Sequence, residues 1–145
     1  MSDAFTIGMV YEDPLSPKKI FQFLLENGWE YANENGQVMF VPAKEDEDDD
    51  YDWEDAKLDA FSVETFIESH GPDDSVRIRM RKGDFSGLFC ILKEVLYIII
   101  DSDVVELDVE TQYSRRVVPD FSWYIEQIMF LLDYTGSRSY DFSVI

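Results

Sequence analysis

Two carboxylates separated by one residue follow an apolar stretch of the chain. Asp101 and Asp103 come directly after residues 95–100, which are all hydrophobic. Phosphotransfer enzymes and nucleotide-sugar glycosyltransferases place metal ligands or nucleophiles at such strand ends. Those folds also need long parallel βα units and a glycine-rich phosphate loop, and no such loop occurs among the 42 residues after Asp103. We therefore interpret the pair as a turn between strands and keep a metal-dependent enzyme as the minor alternative.

The chain has one histidine and one cysteine, too few for a Cys/His zinc site. His70 precedes Gly71 and Pro72 at a predicted helix end, where a cationic or solvent-facing role is the simplest account. Cys90 lies in the apolar residues 88–92 and is predicted to act as a small buried hydrophobe, not as an activated thiolate. The sequence thus predicts no catalytic residue, no metal site and no cofactor, and the protein is not expected to be an enzyme.

The most acidic stretch of the chain is residues 45–55, where nine of eleven positions are Asp or Glu. Asp46, Asp48 and Asp50 match loop positions 1, 3 and 5 of an EF-hand. Position 6 would be Tyr51 in place of glycine, and position 12 would be Lys57 in place of a bidentate glutamate. The segment is therefore predicted to be a solvated surface loop and not a calcium site.

Two aromatic residues interrupt this acidic run. An aromatic side chain among carboxylates can anchor in a partner's cleft while the carboxylates meet Lys or Arg, which resembles the way a phosphate mimic blocks a nucleic-acid-binding site. The alternative is a solvated loop without a specific role. The predicted partner-binding residues here are Glu45, Asp46, Glu47, Asp48, Asp49, Asp50, Tyr51, Asp52, Trp53, Glu54 and Asp55.

A second candidate surface lies on the last predicted helix. Trp123 and Phe130 are seven residues apart and fall outside the main apolar face of that helix. Such a stripe is more often part of a core, and the competing interpretation is a contact for a partner or for a homodimer. We include both residues in the predicted partner-binding set.

The main basic feature is Arg77, Arg79 and Arg81, which alternate with Val76, Ile78 and Met80. The alternation predicts a strand with one buried face and one exposed face. The arginines could form an anion site, but the overall negative charge repels anions, so we expect them to pair with acidic groups of the same protein.

The elements that must position these residues follow from periodicity and turn signals. We predict strands at residues 5–11, 29–32, 37–41, 76–81, 88–92, 95–100, 104–109 and 139–145, with a loop at 111–116. Helices are predicted after the Ser16-Pro17 pair, after Ser62 and after Pro119, with a helical turn within residues 53–60. The continuous apolar runs at 88–92 and 95–100 are typical of central strands covered on both faces. The predicted fold class is α+β: a mostly antiparallel sheet of about five to six strands covered by two to three helices.

Charge and composition limit the function. The chain has 145 residues, 31 acidic and 12 basic, a net charge of −19, and is 46% hydrophobic and 15% aromatic. This predicts one folded domain over residues 1–145, with an acidic surface loop at 43–55. Direct binding to nucleic acid or to a membrane surface is not expected, because both surfaces are anionic. Neither a signal peptide nor a membrane-spanning run is predicted, so a cytoplasmic location is expected.

These features lead to one main functional hypothesis. The chain is expected to be a small acidic binding protein that occludes a basic protein partner. Its most concrete version is a bacterial immunity or antitoxin-type inhibitor of a cationic nuclease toxin. The alternative is a structural or adaptor module that binds through an apolar helix face.

Overall fold

The computed structural model describes residues 4–43 and 53–144. The described chain forms nine strands and three helices, with a 3-10 turn (Leu58–Ala60) after the third strand. In chain order they are β1 (Phe5–Val10), α1 (Pro17–Glu26), β2 (Gln37–Val41), β3 (Glu54–Lys57), α2 (Val63–Ser69), β4 (Val76–Lys82), β5 (Phe85–Ile91), β6 (Val95–Ile100), β7 (Glu106–Glu110), β8 (Arg115–Pro119), α3 (Phe121–Thr135) and β9 (Ser139–Val144).

Seven of the strands form one antiparallel sheet in the order β3-β2-β4-β5-β6-β1-β9. Strands β7 and β8 pair only with each other, as a separate two-stranded hairpin. The predicted α+β class with a mostly antiparallel sheet is confirmed. The main sheet has seven strands because β3 and β9 extend it at its two edges.

The three helices pack on the same face of the sheet. Side chains alternate along β5, where Phe85, Phe89 and Ile91 are fully buried and Ser86, Leu88 and Cys90 are half-buried. Strand β6 alternates in the same way, and Tyr97 is 44% exposed. The prediction that residues 88–92 and 95–100 are covered on both faces is therefore wrong for the described chain. We call the two sides the helix-covered face and the open face.

The helix-covered face holds one hydrophobic core. Phe5 of β1 meets Tyr124 of α3 edge to face, with ring centroids 5.0 Å apart, and Trp29 meets Phe85 in the same way at 5.0 Å. Fully burying side chains of this size stabilises a fold by about 1.5–3 kcal/mol each. Gly87 of β5 allows close packing here, because a Cβ at this position would lie 2.8 Å from Ile98.

Local sequence signals explain where the helices begin and end. Ser62 and Asp120 cap α2 and α3, since their side chains accept hydrogen bonds from the backbone N–H groups of Thr65 and Trp123. Ser16 precedes Pro17 as predicted, but its side chain makes no capping hydrogen bond. Gly136 ends α3 in the left-handed conformation, with φ 60°.

Three segments differ from the prediction. Residues 29–32 form only isolated β-bridges, at Glu30 and Ala32, in place of the predicted strand. Residues 53–60 form β3 and a 3-10 turn in place of a helical turn alone, because β2 offers a free edge with which residues 54–57 pair. The predicted edge strand at 104–109 and loop at 111–116 are instead the β7–β8 hairpin, whose backbone bonds are satisfied locally. None of the described helices is long and apolar enough to cross a membrane.

Candidate functional site: an acid-rimmed pocket at the sheet edge

The structure describes three of the eleven predicted acidic-segment residues. Residues 45–52 lie outside the described ranges, and Trp53, Glu54 and Asp55 lie within them. Trp53 is half-buried, whereas Glu54 and Asp55 are exposed. The predicted loop boundary at residue 55 is wrong, because Glu54 and Asp55 belong to β3 and pair with Phe40 and Met39 of β2.

An apolar pocket lies beside this strand, on the helix-covered face. Three aromatic rings form it: Phe40 lies 4.9 Å from Phe61 and 5.6 Å from Phe66, measured between ring centroids. The pocket has a volume of about 340 Å³. Its wall also contains Ala43, the last described residue before the acidic segment, and Ala56, which follows that segment. The acidic segment therefore leaves and rejoins the described chain at the pocket.

Exposed carboxylates occur on the elements that form the pocket, although none of them is among its lining residues. Glu54 on β3, Asp59 in the 3-10 turn, and Glu64 and Glu68 on α2 are all exposed. Within residues 4–43 and 53–144 none of these four makes an ion pair. An apolar cavity with acidic residues on the adjoining segments fits an apolar side chain flanked by cations. We call this site, with the residues just named, the acid-rimmed pocket.

Buried His70 supports the floor of the pocket. It is 3% exposed and packs edge to face on Phe66, with ring centroids 4.6 Å apart. Its Nδ1 is 2.7 Å from the Phe66 carbonyl oxygen and must donate to it, since that oxygen can only accept. Its Nε2 has no hydrogen-bond partner among the described residues. The expected solvent-facing role is wrong, because the ring is buried against Phe66 and hydrogen-bonds to the Phe66 carbonyl.

Arg79 and Arg81 of β4 pair with acidic groups of the same protein, as predicted, whereas Arg77 donates to Ser75 Oγ. Arg79 donates two hydrogen bonds to Asp101, at 2.8 and 2.9 Å. Arg81 lies 3.6 Å from Glu30 and 3.9 Å from Glu34. The carboxylates that offset the basic strand therefore come from the neighbouring loops described here.

Asp101 and Asp103 are arranged differently from each other. The guanidinium of Arg79 binds both oxygens of Asp101. Asp103 has a left-handed backbone, with φ 50°, and lines a shallow groove with Asp84 and Arg81. In the part of the chain that the structure describes, no three His, Cys, Asp or Glu side chains are grouped to hold a metal ion. This geometry is that of a salt-bridged turn.

Cys90 lies on the open face, half-buried, and is not part of the sheet's covered core. Burial raises the pKa of its thiol, and the charge of Arg77 partly opposes that effect. A raised pKa leaves the thiol protonated at neutral pH, which is consistent with an unreactive side chain.

Trp123 and Phe130 pack against the core of the protein. Trp123 stacks on Phe85 at 6.1 Å, and Phe130 stacks on Phe23 at 5.7 Å, with both side chains half-buried. Both lie on α3, whereas β2, β3 and α2 form the acid-rimmed pocket. The structure therefore does not place the two predicted partner-binding groups in one site.

The aromatic walls of the pocket were not singled out by sequence reasoning. Phe40, Phe61 and Phe66 each belong to a different local pattern, and only pairing of β2 with β3 brings them together. The sequence signal that points to this pocket is the presence of apolar residues at both ends of the acidic run.

Comparison with known proteins gives no relative. No protein-family model matches the chain, and neither the curated proteins nor the solved structures contain a significant match. The functional argument therefore rests on the geometry of the site.

Proposed function

We propose that this chain is an acidic binding protein that occludes a basic protein partner. The observation that carries the proposal is the acid-rimmed pocket, an apolar cavity of about 340 Å³ between the two ends of a highly acidic segment. An aliphatic or aromatic side chain of the partner would fill the cavity. Burial of such an anchor contributes about 1.5–3 kcal/mol, and the carboxylates of the adjoining acidic segment would select for neighbouring Lys and Arg.

The most concrete version of this function is an immunity or antitoxin-type inhibitor of a cationic nuclease toxin in bacteria. A nuclease binds nucleic-acid phosphates through basic side chains. Closely spaced carboxylates of residues 45–55 offer that surface a similar pattern of negative charge. Inhibition would then be steric and electrostatic, and it would need no catalytic group on this chain.

The experiment is a comparative capture from the native host, using the immobilised parent and two variants of equal charge. One variant replaces Asp48, Asp49, Asp50 and Asp52 by Asn. The control replaces Glu106, Glu110, Glu126 and Asp133, which are exposed on other elements, by their amides. The parent and the control should retain a basic protein, identified by mass spectrometry, which the first variant loses. Purified parent should inhibit that protein's nuclease activity.

Two outcomes would contradict the proposal. Equal retention of the captured protein by both variants would show that the acidic segment is not the contact. Loss of capture with Met129→Asp, which alters an exposed residue of α3, would favour the adaptor alternative that binds through an apolar helix face.

A further inference from the structure

Strand β3 forms one edge of the main sheet, and among the described residues only β2 pairs with it. The backbone N–H of Leu58 donates to the carbonyl oxygen of Gly36 at 2.7 Å, in the same register as the β2–β3 ladder. In an antiparallel pair such hydrogen-bonded positions recur at every second residue. The backbone groups of Glu54 and Ala56 therefore bond to β2.

The two residues between these positions face the other way. The N–H and C=O groups of Asp55 and Lys57 point away from β2, and within residues 4–43 and 53–144 no strand pairs with them. An edge with unpaired backbone groups is a template for an added strand. A strand that pairs with both residues would form four backbone hydrogen bonds.

The side chains of β3 alternate between two sites. Ala56 is opposite the fully buried Val38, so it lies on the helix-covered face, where it lines the acid-rimmed pocket. Asp55 is opposite Met39, and both line a small cavity with Arg79 on the open face. A strand added at this edge would therefore direct its own side chains alternately to the pocket and to the open face.

We propose that the basic partner binds as an extended segment that adds an antiparallel strand to the outer edge of β3. This inference rests on the proposed function and specifies how the partner is recognised. The segment has an apolar residue opposite Ala56, beside the acid-rimmed pocket, followed by two Lys or Arg residues. These two lie opposite Asp55 and Glu54, whose exposed carboxylates favour cations as cross-strand neighbours.

A second copy of this chain fits the same edge less well. Two β3 strands paired about Ala56 would bring only a methyl group to a pocket of about 340 Å³. Each copy also has a net charge of −19, so their association is opposed by repulsion. A cationic segment with a larger apolar side chain complements both the cavity and the charge.

The test uses the full chain and an acetylated, amidated peptide with the core Thr-Leu-Lys-Lys. We expect a dissociation constant on the order of 100 μM, because a short strand makes few contacts. Hydrogen exchange followed by NMR reports the pairing. Saturating peptide should slow exchange of the Asp55 and Lys57 amides about tenfold, whereas the Glu54 and Ala56 amides should be protected with and without peptide.

Two N-methylated peptides of equal mass test the direction of the hydrogen bonds. The first lysine is opposite Asp55, so its N–H faces β3, whereas the N–H of the leucine faces away. Methylation of the lysine nitrogen should weaken binding at least about tenfold, and methylation of the leucine nitrogen should change it by less than about twofold. Replacing the leucine by threonine should weaken binding about tenfold, because the pocket is then left unfilled.

Two variants at Lys57 make the matched test on the protein. Lys57→Pro removes an outward N–H, and the φ of −76° at this position suits proline. Lys57→Gln makes the same charge change and keeps the N–H. Lys57→Pro should weaken peptide binding at least about tenfold, and Lys57→Gln should bind at least as tightly as the parent. Thermal melting checks that both variants remain folded.

Four results would each overturn strand addition at β3. They are no binding at about 5 mM peptide, equal binding of the two methylated peptides, binding without protection of the Asp55 and Lys57 amides, and protection that rises with protein concentration in the absence of peptide. The capture experiment separates this inference from the proposed function. Capture of the basic protein by immobilised Lys57→Pro as well as by the parent would leave the proposed function standing and overturn strand addition.

Discussion

Tyr11 and Tyr124 are both buried tyrosines, but their hydroxyl groups have different environments. The Tyr11 hydroxyl is buried without a hydrogen-bond partner among the described residues, whereas Tyr124 Oη accepts from the backbone N–H of Val105 at 3.0 Å. An unpaired buried hydroxyl costs about 1–3 kcal/mol. Tyr11→Phe should therefore leave the free energy of unfolding unchanged or raise it by about 1 kcal/mol, while Tyr124→Phe should lower it by about 1–2 kcal/mol. Urea denaturation of both variants measures this, and equal losses would contradict it.

The same two residues predict sensitivity to alkaline pH. Burial raises the pKa of Tyr11 and of Tyr124, and for Tyr124 the hydrogen bond from Val105 partly offsets this. In the unfolded chain a tyrosine ionises near pH 10. The unfolded state thus loses these protons first, so stability is fully present below about pH 10 and falls as the pH rises further.

Thermal melting between about pH 8 and pH 11.5 tests this expectation. The parent should lose stability above pH 10, and Tyr11→Phe should show a shallower loss, because it removes one of the two groups. If the melting temperature of Tyr11→Phe falls with pH as steeply as that of the parent, Tyr11 does not contribute to the alkaline loss of stability.

At the scale of elements, the N-cap residues of the three helices are expected to contribute unequally to the free energy of unfolding. Ser62 and Asp120 accept backbone hydrogen bonds at the starts of α2 and α3, and Ser16 makes none at the start of α1. Ser62→Ala and Asp120→Ala should each lower the free energy of unfolding by about 1 kcal/mol. Ser16→Ala is the matched control and should change it by less than about 0.5 kcal/mol. Denaturant titrations measure all three, and a large loss in the control would contradict the assignment.

The β7–β8 hairpin is expected to contribute little to the stability of the fold. Every residue of β7 is exposed, Tyr113 at the hairpin's end is 88% exposed, and isolated hairpins are marginal in water. Glu106 and Pro119 are opposite each other, so an Asn-Gly turn can replace residues 107–118. The shortened chain should melt within a few degrees of the parent. A much lower melting temperature would show that the hairpin stabilises the core.

At the scale of the whole molecule, the charge distribution predicts how a basic partner binds. Residues 1–75 contain 20 acidic and 4 basic residues, a net −16, against −3 for the remainder. Electrostatic steering should make association fast and sensitive to salt, because the screening length is about 8 Å at physiological ionic strength. Replacing Asp48, Asp49, Asp50 and Asp52 by Asn should slow association, and Trp53→Ala should mainly speed dissociation.

Both rate constants should be measured across a salt series with the partner identified by capture. The amide control on Glu106, Glu110, Glu126 and Asp133 has the same net charge and should associate faster than the Asn variant. If the Asn variant associates as fast as the parent at low salt, the acidic segment does not steer binding.

Much of the local structure could be predicted from the sequence. The Ser16-Pro17 and Asn27-Gly28 pairs bracket α1, and the alternation in residues 76–81 predicts β4, because helix ends and strand faces depend on neighbouring residues. The pairing of Arg79 within the protein was also predictable, since a strongly acidic chain offers many carboxylates. The acidic segment itself was visible as a candidate binding surface.

Long-range pairing determined the remaining features. The apolar runs in β5 and β6 predict burial but not which element covers each face, and all three helices pack on one side. The pocket of Phe40, Phe61 and Phe66 likewise requires β3 to pair with β2. The main sheet also brings β1 and β9, which are far apart in sequence, together beside β6. Local patterns set which residues favour burial or exposure, whereas the sheet order sets which of them meet, since strand register and helix packing depend on contacts across the whole chain.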